Sequence, residues 1–123
     1  MPFDPSNTSQ GSSNSTSVGG FKDRRSGPRF TLIAEAHIVD VTSGSEFRAR
    51  VSELGLHGCY LDFLNPIPDG SDIRLKITRD NGIFESPGKV VYNHPGMGLG
   101  IFFVNTAPAQ QEILERWIAE LQA

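Results

Sequence analysis

Two arginines separated by three residues are the first side chains of this chain that could bind an anion. Arg25 and Arg29 enclose the turn-forming residues 26–28, and Arg24 adds a third guanidinium directly before them. A planar guanidinium donates paired hydrogen bonds to phosphate and also stacks on flat rings. Because this segment precedes the first strand-like stretch, we expect an anion-binding hinge between a polar tail and a folded body.

A second polar segment follows the next strand-like stretch, where Glu53 precedes the glycines Gly55 and Gly58. A carboxylate accepts hydrogen bonds, and the N–H edge of guanine can donate to it. The two segments together predict a receptor for an anionic ligand that contains guanine. A simpler alternative is that the arginines form a solvated basic stretch and that the glycines serve a turn with positive φ.

The body of the chain shows the alternation of apolar and polar residues that is typical of half-buried strands. Phe30 to Ile38 and Phe47 to Val51 alternate clearly, and Asp80-Asn81-Gly82 predicts a tight hairpin turn. Further strand-like stretches lie at 58–61, 73–77, 84–92 and 97–104. Six or seven short antiparallel strands in succession favour a closed or partly closed barrel.

The last segment of the chain changes to a helical period, with a helix predicted at about 107–121. Its apolar face comprises Ile113, Leu114, Trp117, Ile118 and Leu121. We expect this helix to lie across one opening of the barrel and to insert Trp117 there. Residues 1–20 are dominated by Ser, Asn, Thr and Gly, which predicts a flexible tail and places the folded domain at 21–123.

Charge and cysteine content restrict the class of protein. The 123 residues carry a formal net charge of −3, which argues against general binding of a nucleic acid polymer. Cys59 is the only cysteine, so no intramolecular disulfide can form. The N-terminus lacks the pattern of a signal peptide, and no apolar stretch approaches the ~20 residues of a membrane helix. We therefore expect a cytoplasmic protein with no membrane partner.

The segment Arg24-Arg25-x-x-x-Arg29 resembles the Arg-x-x-x-Arg signature of PilZ domains, the bacterial receptors for cyclic di-GMP. Glu53-x-Gly55-x-x-Gly58 stands where that family carries Asp/Asn-x-Ser-x-x-Gly, so two of the three positions of the second motif differ. The similarity extends from about Lys22 to the C-terminus. It implies a mainly β fold class: a six-stranded antiparallel β-barrel with one C-terminal α-helix.

The resemblance also implies a ligand-binding site composed of Arg24, Arg25, Arg29, Glu53, Gly55 and Gly58. Its arginines would contact the phosphates and guanine faces of cyclic di-GMP, and its carboxylate would accept guanine N–H bonds. A basic residue at position 24 implies a stacked pair of ligands. Gly55 lacks the serine hydroxyl of the family, and losing one hydrogen bond to a charged group costs about 1.5–3 kcal/mol. The implied function is a second-messenger receptor whose arginine hinge orders on ligand binding and presents a surface to an unidentified downstream protein.

Two other functions fit parts of the sequence. Glu53 and Gly55, which depart from the family motif, also fit a PilZ-fold adaptor that binds a protein partner and not the nucleotide. A small RNA-binding barrel would need base-stacking aromatic side chains on an exposed, basic strand face, and the strand sequences show no such patch.

The remaining reactive side chains do not predict enzyme chemistry. His37, His57 and His94 lack the spacing of metal ligands, and Cys59 lies in an apolar stretch that suits a core residue. The glycine-rich residues 96–100 precede a strand rather than a helix, so they match no nucleotide-binding loop, and we expect them to relieve crowding in the barrel. The sequence therefore predicts no enzymatic activity, no cofactor and no metal site.

Overall fold

The structure is a computed structural model that describes residues 28–65 and 67–122. The tail predicted at 1–20, and Arg24 and Arg25, lie outside these residues. The described chain forms six strands followed by one helix: β1 (Phe30–Asp40), β2 (Glu46–Leu54), β3 (Gly58–Asp62), β4 (Asp72–Arg79), β5 (Gly82–His94), β6 (Gly98–Phe103) and α1 (Pro108–Gln122).

The six strands form one closed barrel in the order β1-β2-β3-β6-β5-β4, and all neighbouring strands are antiparallel. β1 pairs with both β2 and β4, which closes the barrel. The predicted six-stranded antiparallel barrel with one C-terminal helix is therefore confirmed. In a closed ring of six strands, β3 lies across the barrel from β4.

Strand alternation decides which side chains face the interior. In β1 the inward residues are Leu32, Ala34, Ala36 and Ile38, all of which are buried. In β4 they are Ile73, Leu75 and Ile77. Burying each large aliphatic side chain favours folding by about 1.5–3 kcal/mol, so the strand registers are strongly specified. The polar residues between them are thereby held on the outer surface.

The hairpin between β4 and β5 has the two-residue turn that Asp80-Asn81-Gly82 predicted. Arg79 pairs with Gly82 across the strands, and Asp80 adopts a positive φ of 52°. Aspartate tolerates this left-handed conformation better than most residues, which explains why this short turn ends β4.

The helix α1 covers the end of the barrel at which this hairpin turns. It begins at Pro108 and ends at Gln122, one residue later at each end than predicted. Trp117 is buried, its ring centroid lies 6.4 Å from that of Phe84, and the Arg79 guanidinium lies 5.7 Å from its ring centroid. Arg79 also forms an ion pair with Glu120 at 2.6 Å. The predicted insertion of Trp117 is confirmed, and α1, the helix of the described residues, is too short and too polar to cross a membrane.

The helix and its preceding loop also contact the first half of β5. β6 pairs with β5 only from Gly88 onwards, so residues 82–87 of β5 have a strand neighbour on the β4 side alone. On the other side, the Glu85 backbone N–H donates to Gln110 Oε1 of α1 at 2.8 Å. Pro87 has no N–H to donate, and its carbonyl accepts from the Val104 N–H at 2.9 Å. The backbone of this exposed stretch is thus covered by helix and loop.

Candidate functional site

The Glu53–Gly58 segment forms the end of β2 and the turn into β3, and Arg29 lies against it. The Gly55 N–H donates to the Gly58 carbonyl at 2.8 Å, which closes the turn. A Cβ at Gly55 would lie 3.1 Å from both Arg29 Cδ and the Pro28 carbonyl oxygen. Because Gly55 has no side chain, the segment before β1 can lie directly on the turn. The fold thus brings together Arg29 of the first motif and the whole of the second.

The charged groups of Arg29 and Glu53 face each other beside the turn. Arg29 Nη1 lies 3.9 Å from Glu53 Oε1, and 17% of the Arg29 side chain and 52% of the Glu53 side chain are exposed. Because the contact is long and half of the Glu53 side chain is exposed, the pair contributes only about 0–1 kcal/mol to stability. Both groups can therefore change partner at small cost, which is what a site for an anionic ligand requires.

Gly58 has a structural reason to be glycine that differs from the predicted one. A Cβ at this position would overlap the Ile101 carbonyl oxygen in the neighbouring strand β6. Neither Gly55 nor Gly58 has positive φ; among the described glycines that conformation occurs at Gly44, Gly70 and Gly96. The expectation of positive φ was wrong, because close approach of another backbone, and not turn conformation, excludes a side chain here.

A β-bulge in β2 turns Glu53 towards solvent. Val51 pairs with Leu61 and Glu53 pairs with Tyr60, so Ser52 is an extra residue on β2. Val51 and Leu54 are both buried, and Glu53 between them is exposed. Strict alternation from Val51 would have directed Glu53 into the core. Bulges commonly redirect side chains in this way near functional sites.

A second bulge places a tyrosine in the same cross-strand row as Glu53. Val90 pairs with Ile101 and Tyr92 pairs with Gly100, so Val91 is the extra residue on β5. Glu53 and Gly100 both pair with Tyr60 of β3. The outer surface therefore carries the row Glu53, Tyr60, Gly100 and Tyr92 across four neighbouring strands.

The rings of Tyr60 and Tyr92 cover two glycines of β6 and the His94 ring packs against both, and we call Tyr60, Tyr92 and His94 the aromatic cluster. The Tyr60 hydroxyl forms a hydrogen bond with His94 Nδ1 at 3.0 Å. The rings of Tyr92 and His94 stack, with centroids 5.0 Å apart and planes 22° apart. A Cβ at Gly98 would lie 2.7 Å from Tyr60 Cε2, and one at Gly100 would overlap the Tyr92 ring.

The aromatic cluster bears on the alternative of a small RNA-binding barrel. Such a barrel needs base-stacking aromatic side chains on an exposed, basic strand face, and Tyr60, Tyr92 and His94 form a patch of aromatic rings. The signal available was positional: Tyr60 lies two residues beyond Gly58, and Val90-Val91 interrupts the alternation before Tyr92. The patch adjoins carboxylates, since Glu53 flanks it on one side and Asp62, paired with Arg50 at 3.0 Å, lies nearby on β3. It therefore lacks the basic character that an RNA-binding face needs.

Burial shifts the pKa of two groups close to the motifs. Desolvation raises the pKa of Cys59 to about 12, although the positive charge of Arg29 opposes the shift. Desolvation also raises the pKa of Tyr60, with smaller contributions from Tyr92, Asp62 and Glu53. Both groups are therefore protonated at neutral pH. Cys59, which is wholly buried, is a core residue, as predicted.

The described residues contain no group of three or more His, Cys, Asp or Glu side chains that could hold a metal ion. Shallow clefts of about 330 and 500 Å³ lie outside the motif region, on the β1–β4 face and beside the loop after β3. Their arginines Arg48 and Arg50 are already paired with Glu35 and Asp62. The motif region is the part of the described surface where Arg29 of the first motif lies against the second motif.

Comparison with known families identifies the chain. The family model described as PilZ domain matches residues 23–120. The chain belongs to the PilZ domain family. PilZ domains are receptor or adaptor domains rather than enzymes. No curated protein matches the chain.

Solved PilZ structures share the fold. The PilZ domain with c-di-GMP of YcgR from Escherichia coli has a TM-score of 0.68 at 17% identity, over 81% of this chain and 92% of that one. The PilZ domain of CeSA from a cellulose-synthesizing bacterium gives 0.65 at 12% identity, over 79% and 100%. The Bacillus subtilis inhibitor of motility (MotI/DgrA) gives 0.67 at 17% identity, over 81% and 52%. At these identities the likeness establishes the fold alone.

Proposed function

We propose that this PilZ domain is a receptor for cyclic di-GMP in bacterial second-messenger signalling and acts in the cytoplasm. The observation that carries the proposal is the position of Arg29, which lies on the Gly55 turn with its guanidinium 3.9 Å from Glu53. Arg29, the described arginine of the first motif, thus lies beside the second motif, although more than twenty residues separate them in the sequence. The YcgR domain, which has the same fold, is described with c-di-GMP.

Each described motif residue has a distinct role in this proposal. Arg29 leaves Glu53 and donates paired hydrogen bonds to a phosphate of the ligand, since guanidinium suits phosphate geometry. Glu53 then accepts the guanine N–H bonds, and Gly58 allows β3 and β6 to approach. The Gly55 N–H already donates to the Gly58 carbonyl, so it does not replace the missing serine hydroxyl. We therefore expect affinity in the micromolar range or weaker.

Arg24 and Arg25 complete the site in this proposal, although they lie outside the described residues. They close over the ligand as a hinge, and Arg24 supports binding of a stacked pair of cyclic di-GMP molecules. Ordering of the hinge then presents a new surface to a downstream protein. The free energy of that ordering is drawn from ligand contacts, which is consistent with modest affinity.

Isothermal titration calorimetry with cyclic di-GMP tests the proposal directly, because it reports both affinity and stoichiometry. Arg29→Met keeps the aliphatic stem that covers Gly55 but removes the guanidinium, so binding should weaken about tenfold to a hundredfold. Arg74→Met is the matched control. Arg74 is an exposed cation on β4, across the barrel, and makes no ion pair with another described residue. Cyclic di-AMP should bind far more weakly, since adenine lacks the guanine N1–H that Glu53 accepts.

The second candidate is a PilZ-fold adaptor that binds a protein partner without the nucleotide. Glu53 and Gly55, which depart from the family motif, favour it, because the Gly55 N–H is already bonded to the Gly58 carbonyl and does not replace the missing serine hydroxyl. If the protein is such an adaptor, calorimetry should detect no heat of binding with cyclic di-GMP at high micromolar concentration and low salt. Equal affinities of the Arg29→Met and Arg74→Met variants would also count against the receptor, since binding would then be general charge attraction.

A further inference from the structure

The aromatic cluster lies directly beside the carboxylate of the second motif, and neither motif includes it. Tyr60 is the cross-strand partner of Glu53, and its ring leans over Gly98 towards β5. Side chains of directly opposed residues on one sheet face are about 4.5–5.5 Å apart at Cβ. The Tyr60 side chain is therefore the aromatic side chain directly beside the Glu53 carboxylate in this row.

The rings are held in place before any ligand arrives. Tyr60 is anchored by its backbone on β3 and by its hydroxyl, which bonds to His94 Nδ1 on β5 at 3.0 Å. His94 is in turn stacked on Tyr92, and the Tyr60 and Tyr92 centroids lie 6.1 Å apart. Fixed rings lose little rotamer entropy on binding, so they make an efficient contact surface.

Two bulges produce this arrangement, and each interrupts the regular residue pairing between two strands. The Ser52 bulge directs Glu53 outwards on β2, and the Val91 bulge directs Tyr92 outwards on β5. The glycines of β6 leave the space that the rings occupy. If the aromatic cluster served only to cover the glycines of β6, the rings would be needed, but the Glu53 carboxylate would not have to lie in the same row.

We infer that Tyr60, supported by Tyr92 and His94, is a stacking surface for a purine base whose N–H edge is bonded by Glu53. The inference rests on the proposed receptor function and adds to it the residues that hold the base. Aromatic rings stack on any base, so this surface supplies affinity, whereas the carboxylate selects guanine. The neighbouring Asp62 stays engaged with Arg50 and does not compete for the base.

Calorimetry on two substitutions at one position tests this inference with cyclic di-GMP as the probe. Tyr60→Phe keeps the ring, so its affinity should stay within about threefold of that of the unaltered protein. Tyr60→Leu keeps an apolar side chain over Gly98 but removes the ring, and should bind about tenfold more weakly, in line with measured base–aromatic stacking. Thermal melting of each variant without ligand verifies that the barrel is folded.

A measurement on the unaltered protein makes the test independent of variant folding. During titration with cyclic di-GMP, the ring-proton NMR signals of Tyr60 should shift upfield, because a stacked base shields them. If the protein binds and these signals do not move, or if Tyr60→Leu binds as tightly as Tyr60→Phe, the stacking surface is wrong while the receptor function stands. If the unaltered protein does not bind at all, the receptor function fails and the stacking surface fails with it.

Discussion

Replacing Gly58 with alanine should destabilise the barrel far more than the same change at Gly55, three residues earlier in the motif. The added methyl at Gly58 would overlap the Ile101 carbonyl oxygen, which belongs to the backbone of β6. A backbone atom inside a closed barrel cannot swing away as a side chain can. The substitution must therefore separate β3 from β6 locally.

The expected cost follows from what that separation breaks. Overpacking a well-packed site typically costs about 1–3 kcal/mol. Two hydrogen bonds of 2.8 Å frame the same turn, from the Gly55 N–H to the Gly58 carbonyl and from the Phe103 N–H to the His57 carbonyl. Each contributes about 0.5–1.5 kcal/mol net. We expect Gly58→Ala to lower the free energy of unfolding by about 3 kcal/mol or more, a large part of the ~5–15 kcal/mol of a typical domain.

Urea denaturation and thermal melting measure this cost. About 3 kcal/mol corresponds to a fall in melting temperature of more than ~10 °C for a domain of this size. Gly55→Ala is the control, because its methyl would meet Arg29 Cδ and the Pro28 carbonyl at 3.1 Å, where a shift of a few tenths of an ångström suffices. It should cost no more than about 1 kcal/mol. Equal melting temperatures for Gly58→Ala and the unaltered protein would refute the argument from close backbone approach.

Two further predictions concern the core. Cys59 should resist thiol reagents at pH 8 until urea unfolds the protein, because burial raises its pKa from 9.0 to about 12. The unfolded thiol loses its proton at lower pH than the buried one, so the contribution of Cys59 to the free energy of unfolding is full below pH 9. It falls by up to about 1.4 kcal/mol per pH unit between pH 9 and pH 12. The free energy of unfolding of Cys59→Ala should therefore decline less steeply over the same pH range. Trp117→Ala should lower the free energy of unfolding by about 3–5 kcal/mol, whereas alanine at the exposed neighbour Arg116 should change it by less than about 0.5 kcal/mol. Similar urea midpoints for these two variants would show that α1 contributes little to the barrel.

Local pattern predicted the individual elements because each carries its own signal, whereas the count of six strands came from the resemblance to PilZ domains. The alternation from Leu32 to Ile38 sets the inward face of β1, and Asp80-Asn81-Gly82 sets the β4–β5 turn. The spacing of Leu114, Trp117 and Ile118 sets the buried face of α1. These signals act over a few residues, so they can be identified without knowledge of the tertiary structure.

The site was less predictable because it depends on contacts between distant segments. Arg29 lies against Gly55, and Gly58 faces the Ile101 carbonyl. Both contacts follow from the order of the strands in the barrel and cannot be derived from the spacing of residues in the sequence. The bulge at Ser52 leaves only a weak signal in the sequence. Val51 and Leu54 are both apolar and both buried, yet they are three positions apart, whereas residues on one face of a regular strand are an even number of positions apart. Strict alternation would therefore have directed Glu53 into the core, and the row that joins it to the aromatic cluster would have been missed.

The contact between Gln110 and the first half of β5 also hinders β-strand pairing between two copies of this chain. A strand with unpaired N–H groups is a template for strand addition, and a closed barrel escapes that hazard only where its ring of hydrogen bonds is complete. On the open side of β5 the Glu85 N–H donates to the Gln110 side chain, Pro87 has no N–H to offer, and its carbonyl accepts from the Val104 N–H. The C-terminal helix thus covers part of the unpaired backbone of β5 as well as one end of the core. Displacing this helix would expose the unpaired backbone of residues 82–87 to strand addition by a second copy.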